Sequence, residues 1–449
     1  MEIRDYVHEN SDRFVEEFRR TLVMESVSAE NRCVSDVAKE LRDLLANRGI
    51  ESKVVQTPRH PIVLGSLKQT ETEKLLLVYG HYDVQPPGDP DLWEYPAFSA
   101  QIADDRIYGR GTSDSKNNVM GVIHAVETLL AVEGGLPVDL VLVLDGEEEI
   151  GSPSLPEFIR NHTDQLGSAD AALVADSHVN NEGRPELWLG LKGLLYVELK
   201  ATSRNRVDLH SSLGGVVGNP LWSLVELLGS MRGDRVGIRG FYDDVIRDEG
   251  LQTRWITRLL ESFPTKESFE EAIDVKLRKD LGYREALRRL YFEPTLNIDG
   301  MMGGYTVEGA SKTVTPSESL AKVDMRLVPN QDPEKIFRKF REHADQVGGG
   351  AVEVRNLGAL PSYTVGAEEP IVRATRSAMK ETYGTDPVEY PTSPASGGMA
   401  YIPTMLGVPM ASAGSGPPLA HRPNEYITRE QYLKGVELFA SIMKKYGAD

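Results

Sequence analysis

The chain has 449 residues, 40% hydrophobic and 26% charged, a globular mix too long for one compact core, so two or three domains are expected. Its formal net charge of −18 argues against nucleic acid or an anionic membrane as a partner. A lone cysteine (Cys33), no apolar run near the roughly 20 residues of a membrane span, and an opening Met1-Glu2-Ile3-Arg4-Asp5 without a signal-peptide core together suggest a cytoplasmic protein.

Helical periodicity marks residues 2–24 and 35–48, the latter through Val37, Leu41, Leu44 and Leu45. Strands are expected at 52–56, 62–66 and 74–80, then a helix over 117–133 and a strand over 138–144. A helix at 154–161 leads to a strand at 171–175. Strands alternating with helices predict an α/β fold, a mostly parallel sheet with helices on both faces. After Gly193 the pattern changes. Val197-Glu198-Leu199-Lys200-Ala201 alternates like a half-exposed strand, and helices are expected at 219–232 and 251–263. Further strands are expected at 295–299, 319–328 and 351–356, with a helix at 333–346 between the last two. That mixture predicts an inserted α+β domain over 197–362, splitting an α/β domain into 1–196 and 363–449. Helices at 369–383 and 428–446 complete the second part.

Three short stretches, far apart in sequence, carry residues suited to metals. Leu75-Leu76-Leu77-Val78 leads to Gly80-His81-Tyr82-Asp83, and Leu140-Val141-Leu142-Val143-Leu144 leads to Asp145-Gly146-Glu147-Glu148-Glu149. Arg110-Gly111-Thr112-Ser113-Asp114 opens the helix at 117. The carboxyl ends of parallel strands are where open α/β sheets place their sites. A His-x-Asp, an isolated Asp and a Glu pair are the parts of a two-metal hydrolytic centre. His81 is the strongest ligand candidate, with Asp83 holding its other ring nitrogen. Glu149 is favoured as ligand and Glu148 as general base, because an unligated carboxylate can take a proton from a water beside the metals. Glu147 is read as structural. Asp114 could be a plain helix N-cap or a ligand on a rigid turn. Asp176, after Ala172-Leu173-Val174-Ala175, and His421, in a turn-rich loop, are open on their own evidence. Among the other histidines, His124 reads as core and His8, His60, His162 and His343 as surface. His178, two residues beyond Asp176, is placed outside the site in preference to its edge.

Six stretches together resemble the M20 metallopeptidases, the aminoacylase-1 and carboxypeptidase G2 family, in their cytosolic dipeptidase and carnosinase branch. They are Gly80-His81-Tyr82-Asp83-Val84-Gln85-Pro86, Ile107-Tyr108-Gly109-Arg110-Gly111-Thr112-Ser113-Asp114, Gly146-Glu147-Glu148-Glu149-Ile150-Gly151-Ser152, Asp208-Leu209-His210-Ser211, Asp324-Met325-Arg326-Leu327-Val328-Pro329 and His421-Arg422-Pro423-Asn424-Glu425. The resemblance implies two divalent ions per subunit, Zn2+ or Mn2+, with His81 and Asp176 on one, Glu149 and His421 on the other, and Asp114 bridging. It implies a cis peptide after Asp114 and general acid/base work by Glu148. It implies a homodimer in which His210 reaches the partner's site, and Arg326 on the substrate carboxylate. Asn297, Gly397 and Gly398 are candidate substrate contacts, the glycines through their backbones. The implied activity is cleavage of an amide next to a free carboxylate, in a small peptide or an N-acyl amino acid. Two stretches depart from the branch: Ser115-Lys116-Asn117 after Asp114, and Ser393-Pro394-Ala395-Ser396-Gly397-Gly398-Met399, which lacks an Arg-Glu pair. An N-acyl amino acid deacylase therefore stands beside the dipeptidase or carboxypeptidase, and a non-catalytic metal-binding homologue behind both.

Overall fold

The computed structural model describes residues 1–69 and 74–449. Its central sheet has six strands in the order Glu51–Val55, Ile62–Leu67, Asp139–Asp145, Leu75–His81, Ala171–Val174, Met410–Ser412. The last four run parallel, and Ile62–Leu67 is antiparallel to both of its neighbours. Alternate residues of the apolar runs serve two cores. Leu76, Val78, Leu140, Leu142 and Leu144 pack under helices that include Ser11–Leu22, Lys116–Glu133 and Arg429–Ala448. Leu77, Tyr79, Val141 and Val143 face Leu155, Phe158, Ile402 and Met410 on the other side. Both faces are covered, which is why these strands read as continuous hydrophobic runs rather than alternating ones.

A second, antiparallel sheet has the order Asn297–Gly303, Glu318–Leu327, Gly193–Thr202, Val352–Leu360. Here the two central strands do alternate. Leu195, Val197 and Leu199 with Val323, Met325 and Leu327 are buried against helices Pro220–Met231 and Pro333–Gly348. Asn297–Gly303 is an open edge strand with Met302 68% exposed, and Trp222 on the nearby helix is 63% exposed. A third group of helices, Glu249–Ser262, Lys266–Ile273 and Tyr283–Phe292, does not join this core. Ile256, Leu259, Phe263 and Leu287 pack instead with Val388 and Tyr390. Tyr390 belongs to Val388–Tyr390, which pairs in parallel with Glu186–Trp188.

The helix expected over 2–24 is two helices, Ile3–Glu9 and Ser11–Leu22, separated at Asn10. The helices at Lys266–Ile273 and Tyr283–Phe292 were not foreseen, and the strand expected at 351–356 runs on to Leu360. His60, expected at the surface, is buried, with its Nε2 2.9 Å from the Ser28 carbonyl oxygen. Among the described residues no helix is long and apolar enough to cross a membrane.

Candidate active site

The carboxyl edge of the parallel strands carries the cluster. His81 ends its strand, the Glu147–Glu149 turn follows Asp145, and Asp176 lies two residues beyond Val174. Asp114 arrives from the turn before helix Lys116–Glu133, and His421 from the loop after Ser412. Side-chain atoms of His81, Asp114 and Glu149 all lie within 4.8 Å of one another.

Asp114 sits in the middle. Its Oδ1 is 3.2 Å from His81 Nε2, and its Oδ2 is 3.1 Å from His421 Nε2. His81 Nε2 is also 3.6 Å from Asp176 Oδ1, and His421 Nε2 is 3.1 Å from Glu149 Oε2. The five residues thus divide into His81 with Asp176 and His421 with Glu149, one pair at each oxygen of Asp114. The cluster is closed on the protein side and open at His421, whose side chain is 55% exposed.

Four carboxylates share this space with two imidazoles. Burial pushes the Glu148 carboxyl well above its ordinary value; His81 opposes the rise, while Asp176, Glu149 and Asp114 add to it. Hydrogen bonds to Asp114 and Glu149 push His421 up to about 10. This donor set suits cations. Glu149 Oε1 is buried without a hydrogen-bond partner, and such an atom is costly unless something positive meets it. The carboxylates and the two imidazole nitrogens are the ligand types of zinc and manganese sites.

The support around the cluster is specific. His81 Nδ1 is 3.1 Å from the Asp83 carbonyl oxygen and 3.4 Å from Asp83 Oδ1. The Asp83 carboxylate also accepts the backbone N–H groups of Glu148, at 3.1 Å, and Glu149, at 3.0 Å. One buried Asp therefore sets the imidazole and the acidic turn together. Glu147 points away from the cluster. Its carboxylate accepts from His60 N, Ser154 N and Ser154 Oγ at 2.7–2.9 Å, the structural part expected of it.

Three groups that the sequence reading did not single out hold the cluster in place. Gln85 Nε2 donates to Glu149 Oε2 at 3.0 Å. Glu425, fully buried, accepts the backbone N–H groups of Gly111, Ser113 and Asp114 on one oxygen. Its other oxygen accepts from Arg110 Nη1 at 2.7 Å. Arg110 reaches the carbonyls of His421 and Arg422 as well, so this pair braces Asp114 and His421 against each other. Both residues lie inside motifs already quoted. The Asp114–Ser115 peptide is cis. His421 and Asn424 have φ of 64° and 58°, a left-handed conformation that costs energy outside glycine and persists where the surroundings hold it.

A pocket of about 460 Å³ opens from Asp114, Glu148, Asp176 and His421. Gly397 forms part of its wall beside Glu148, whereas Gly398 is packed against Ser152. His178 also lines this pocket, 3.0 Å from Glu186, at the edge rather than outside. Arg326 Nη1 donates to Ser396 Oγ at 3.0 Å, which brings a residue of the second sheet to the rim. Asn297 lies opposite Asp324 in the ladder, on the same face as Arg326, and bonds to Asp299. His210 does not line this pocket. It is exposed on the short pair Leu209–His210 with Val314–Thr315, hydrogen-bonded to Ser212.

Comparison with known proteins agrees with this geometry. Residues 77–445 match the model of peptidase family M20/M25/M40. The chain is 28% identical over 470 residues to a Beta-Ala-His dipeptidase of Rattus norvegicus, covering 97% of this chain and 93% of that one. It is 27% identical over 485 residues to the Cys-Gly metallodipeptidase dug1 of Schizosaccharomyces pombe, covering 97% and 96%. In structure it is similar to the M20 family metallo-carboxypeptidase Sso-CP2 of Sulfolobus solfataricus, with a TM-score of 0.89, 33% identity and coverage of 97% and 99%. A family match over most of the chain, together with a metal-suited cluster at the carboxyl edge of its sheet, shows that this protein is a metallopeptidase belonging to peptidase family M20/M25/M40.

Proposed function

We propose that the protein is a dinuclear metallohydrolase, a dipeptidase or carboxypeptidase, cleaving an amide bond next to a free carboxylate. One observation carries the reading: the two oxygens of Asp114 face different imidazoles, each of which has a further carboxylate beside it. His81 and Asp176 would hold one divalent ion, His421 and Glu149 the other, and Asp114 both. Zinc or manganese bound there would supply Lewis acidity toward the scissile carbonyl and acidify a nearby water.

The protein's own groups do the rest. Glu148, half-buried beside the cluster and raised in pKa, takes the proton of the attacking water and returns it to the leaving amine. Asp83 keeps His81 and the Glu148 turn in register. Arg326, at the rim, pairs with the substrate carboxylate through its planar guanidinium. Asn297 and the backbone at Gly397 position the substrate, and Gly398, packed on Ser152, holds that loop in place.

His210 serves the neighbouring subunit as an oxyanion donor. Two features support a homodimer built on the 197–362 unit: His210 is exposed and outside its own pocket, and the open strand Asn297–Gly303 runs beside an exposed Trp222. The dipeptidases and the carboxypeptidase to which the chain is similar support a small peptide as substrate.

Glu148→Gln tests the reading. The variant should keep two bound ions per chain by elemental analysis and lose about 10²- to 10⁴-fold in turnover on dipeptides. Near-normal turnover would remove Glu148 from its role.

A further inference from the structure

We infer that this site selects substrates whose carboxyl-terminal residue carries a bulky apolar side chain, received by Leu191, Tyr363, Met399 and Met410. The inference rests on the hydrolase reading above and adds the substrate class.

The leaving residue is held at two points. Its amide nitrogen must come to Glu148, which returns the proton, and its carboxylate to Arg326. Those two groups converge on adjacent residues of one loop. A Cβ built on Gly397 would stand 3.2 Å from Glu148 Oε1, and Ser396 Oγ is 3.0 Å from Arg326 Nη1. The α-carbon of the leaving residue therefore lies over Ser396 and Gly397. What surrounds that point decides which side chain fits.

It is an apolar wall. The same Cβ on Gly397 would stand 2.1 Å from Met399 Sδ, so the thioether packs beside Gly397 and forms the wall next to the spot where the residue must sit. Leu191 and Tyr363 are direct partners in the ladder of Gly190–Leu191 with Tyr363–Thr364, and Leu191 also bridges to Ser393 of the loop. Tyr363 spends its hydroxyl on Met410. It donates to the Met410 carbonyl at 2.8 Å and accepts from the Met410 N–H at 2.6 Å, leaving its ring to the pocket. The charged groups at the pocket's edge are already engaged: His178 pairs with Glu186 at 3.0 Å, and Arg422 lies 3.5 Å from Asp274. A charged side chain on this wall would lose water without gaining a partner, whereas Leu, Met or Phe would bury apolar surface.

The experiment uses the full chain loaded with zinc or manganese. One series varies the second residue, Ala-Gly, Ala-Ala, Ala-Leu, Ala-Phe, Ala-Lys and Ala-Asp, and calorimetry measures binding of the free amino acids Gly, Leu, Phe, Lys and Asp. The expected result is kcat/KM for Ala-Leu and Ala-Phe about 10- to 100-fold above Ala-Gly, with Ala-Lys and Ala-Asp lowest. Leu191→Ala combined with Met399→Ala should compress the Phe-to-Gly ratio toward one, whatever the absolute rates. Turnover with a flat series, or one led by Lys or Asp, overturns the apolar pocket and leaves the hydrolase reading standing. Tight binding of free Phe and Leu without turnover of any dipeptide supports the pocket and overturns the hydrolase reading. Neither turnover nor selective binding overturns both.

Discussion

Replacing Glu425 by Gln probes how the two loops of the cluster are held. In the native protein one oxygen of Glu425 takes three backbone N–H groups, at 3.1, 2.6 and 3.1 Å, and the other takes Arg110. Arg110 is 2% exposed and Glu425 is fully buried. The amide oxygen of Gln can keep the three N–H bonds, but its NH2 then faces a guanidinium. Breaking a buried ion pair on one side costs about 3–5 kcal/mol, because the remaining charge stays buried. Arg110 still touches the carbonyls of His421, Arg422 and Pro86, all at 3.3–3.4 Å, which argues for the lower end, about 3 kcal/mol. Denaturant titration followed by tryptophan fluorescence suits the case, since the Trp93 ring lies 5.4 Å from the Arg110 guanidinium carbon. Asp114 and His421 should also lose alignment, weakening ion affinity about 10- to 100-fold. Swapping both partners for apolar residues, Arg110→Met with Glu425→Leu, should not restore stability, because Gly111, Ser113 and Asp114 would be left with unpaired N–H groups. A loss below about 1 kcal/mol in Glu425→Gln, the worth of an exposed pair, would refute the bracing argument.

Three further outcomes are expected. Burial raises the Glu17 carboxyl, but the hydrogen bond to His124 and the charge of Arg48 prevail and hold it at about 2, below its ordinary 4.5, with Arg13 and Glu127 alongside. A lowered carboxylate stabilises the fold above its unfolded pKa and loses that effect as pH falls through the folded one. Glu17→Gln should thus be less stable than the parent at pH 7, with the gap closing between about 4.5 and about 2; a pH-independent gap in unfolding midpoints would contradict this. Gly414→Ala puts a Cβ 1.7 Å from the Ser177 carbonyl oxygen, so backbone must move; a loss of at least about 1–3 kcal/mol and displaced His421 are expected, and unchanged melting with full ion content would count against the close approach. On the proposed homodimer, mixing Glu148→Gln with His210→Ala, each expected to be nearly inactive alone, should restore about a quarter of parental activity, since half the random dimers would then hold one complete site of two. No recovery after subunit exchange would place His210 in its own subunit's site or outside the reaction.

How far the chain could be read in advance depended on whether each cause was local. His81, the Glu147–Glu149 turn and Asp176 follow apolar strands, and that context alone marks a strand's end at a site. The central sheet was readable for the same reason, since both of its faces are covered and the runs are long. Asp114 and His421 needed the whole motif set, because a turn residue and a loop histidine have ordinary uses. The brace of Arg110 with Glu425 joins positions 315 residues apart, so no window of sequence contains it. His60 failed for a related reason. Its neighbours Arg59 and Pro61 read as a loop, and only the Ser28 carbonyl, from another element, explains its burial. The break at Asn10 left no trace in the periodicity, because one non-helical residue with φ −98° and ψ 7° keeps the following helix nearly in phase. Helices Lys266–Ile273 and Tyr283–Phe292 belong to a small core shared with Val388 and Tyr390, a pairing that sequence distance conceals.

The strand Asn297–Gly303 has a consequence for handling the protein. It leaves one side of its backbone ladder unsatisfied and carries Ile298, Met301 and Met302, all exposed. Such an edge is a template for any other extended chain, and it has no proline or bulky charge pointing outward to discourage one, only Asp299. Substitutions that loosen the second sheet should therefore drive the protein toward strand-mediated aggregation before the central parallel sheet unfolds, and aggregates formed this way should retain the native fold of that central sheet.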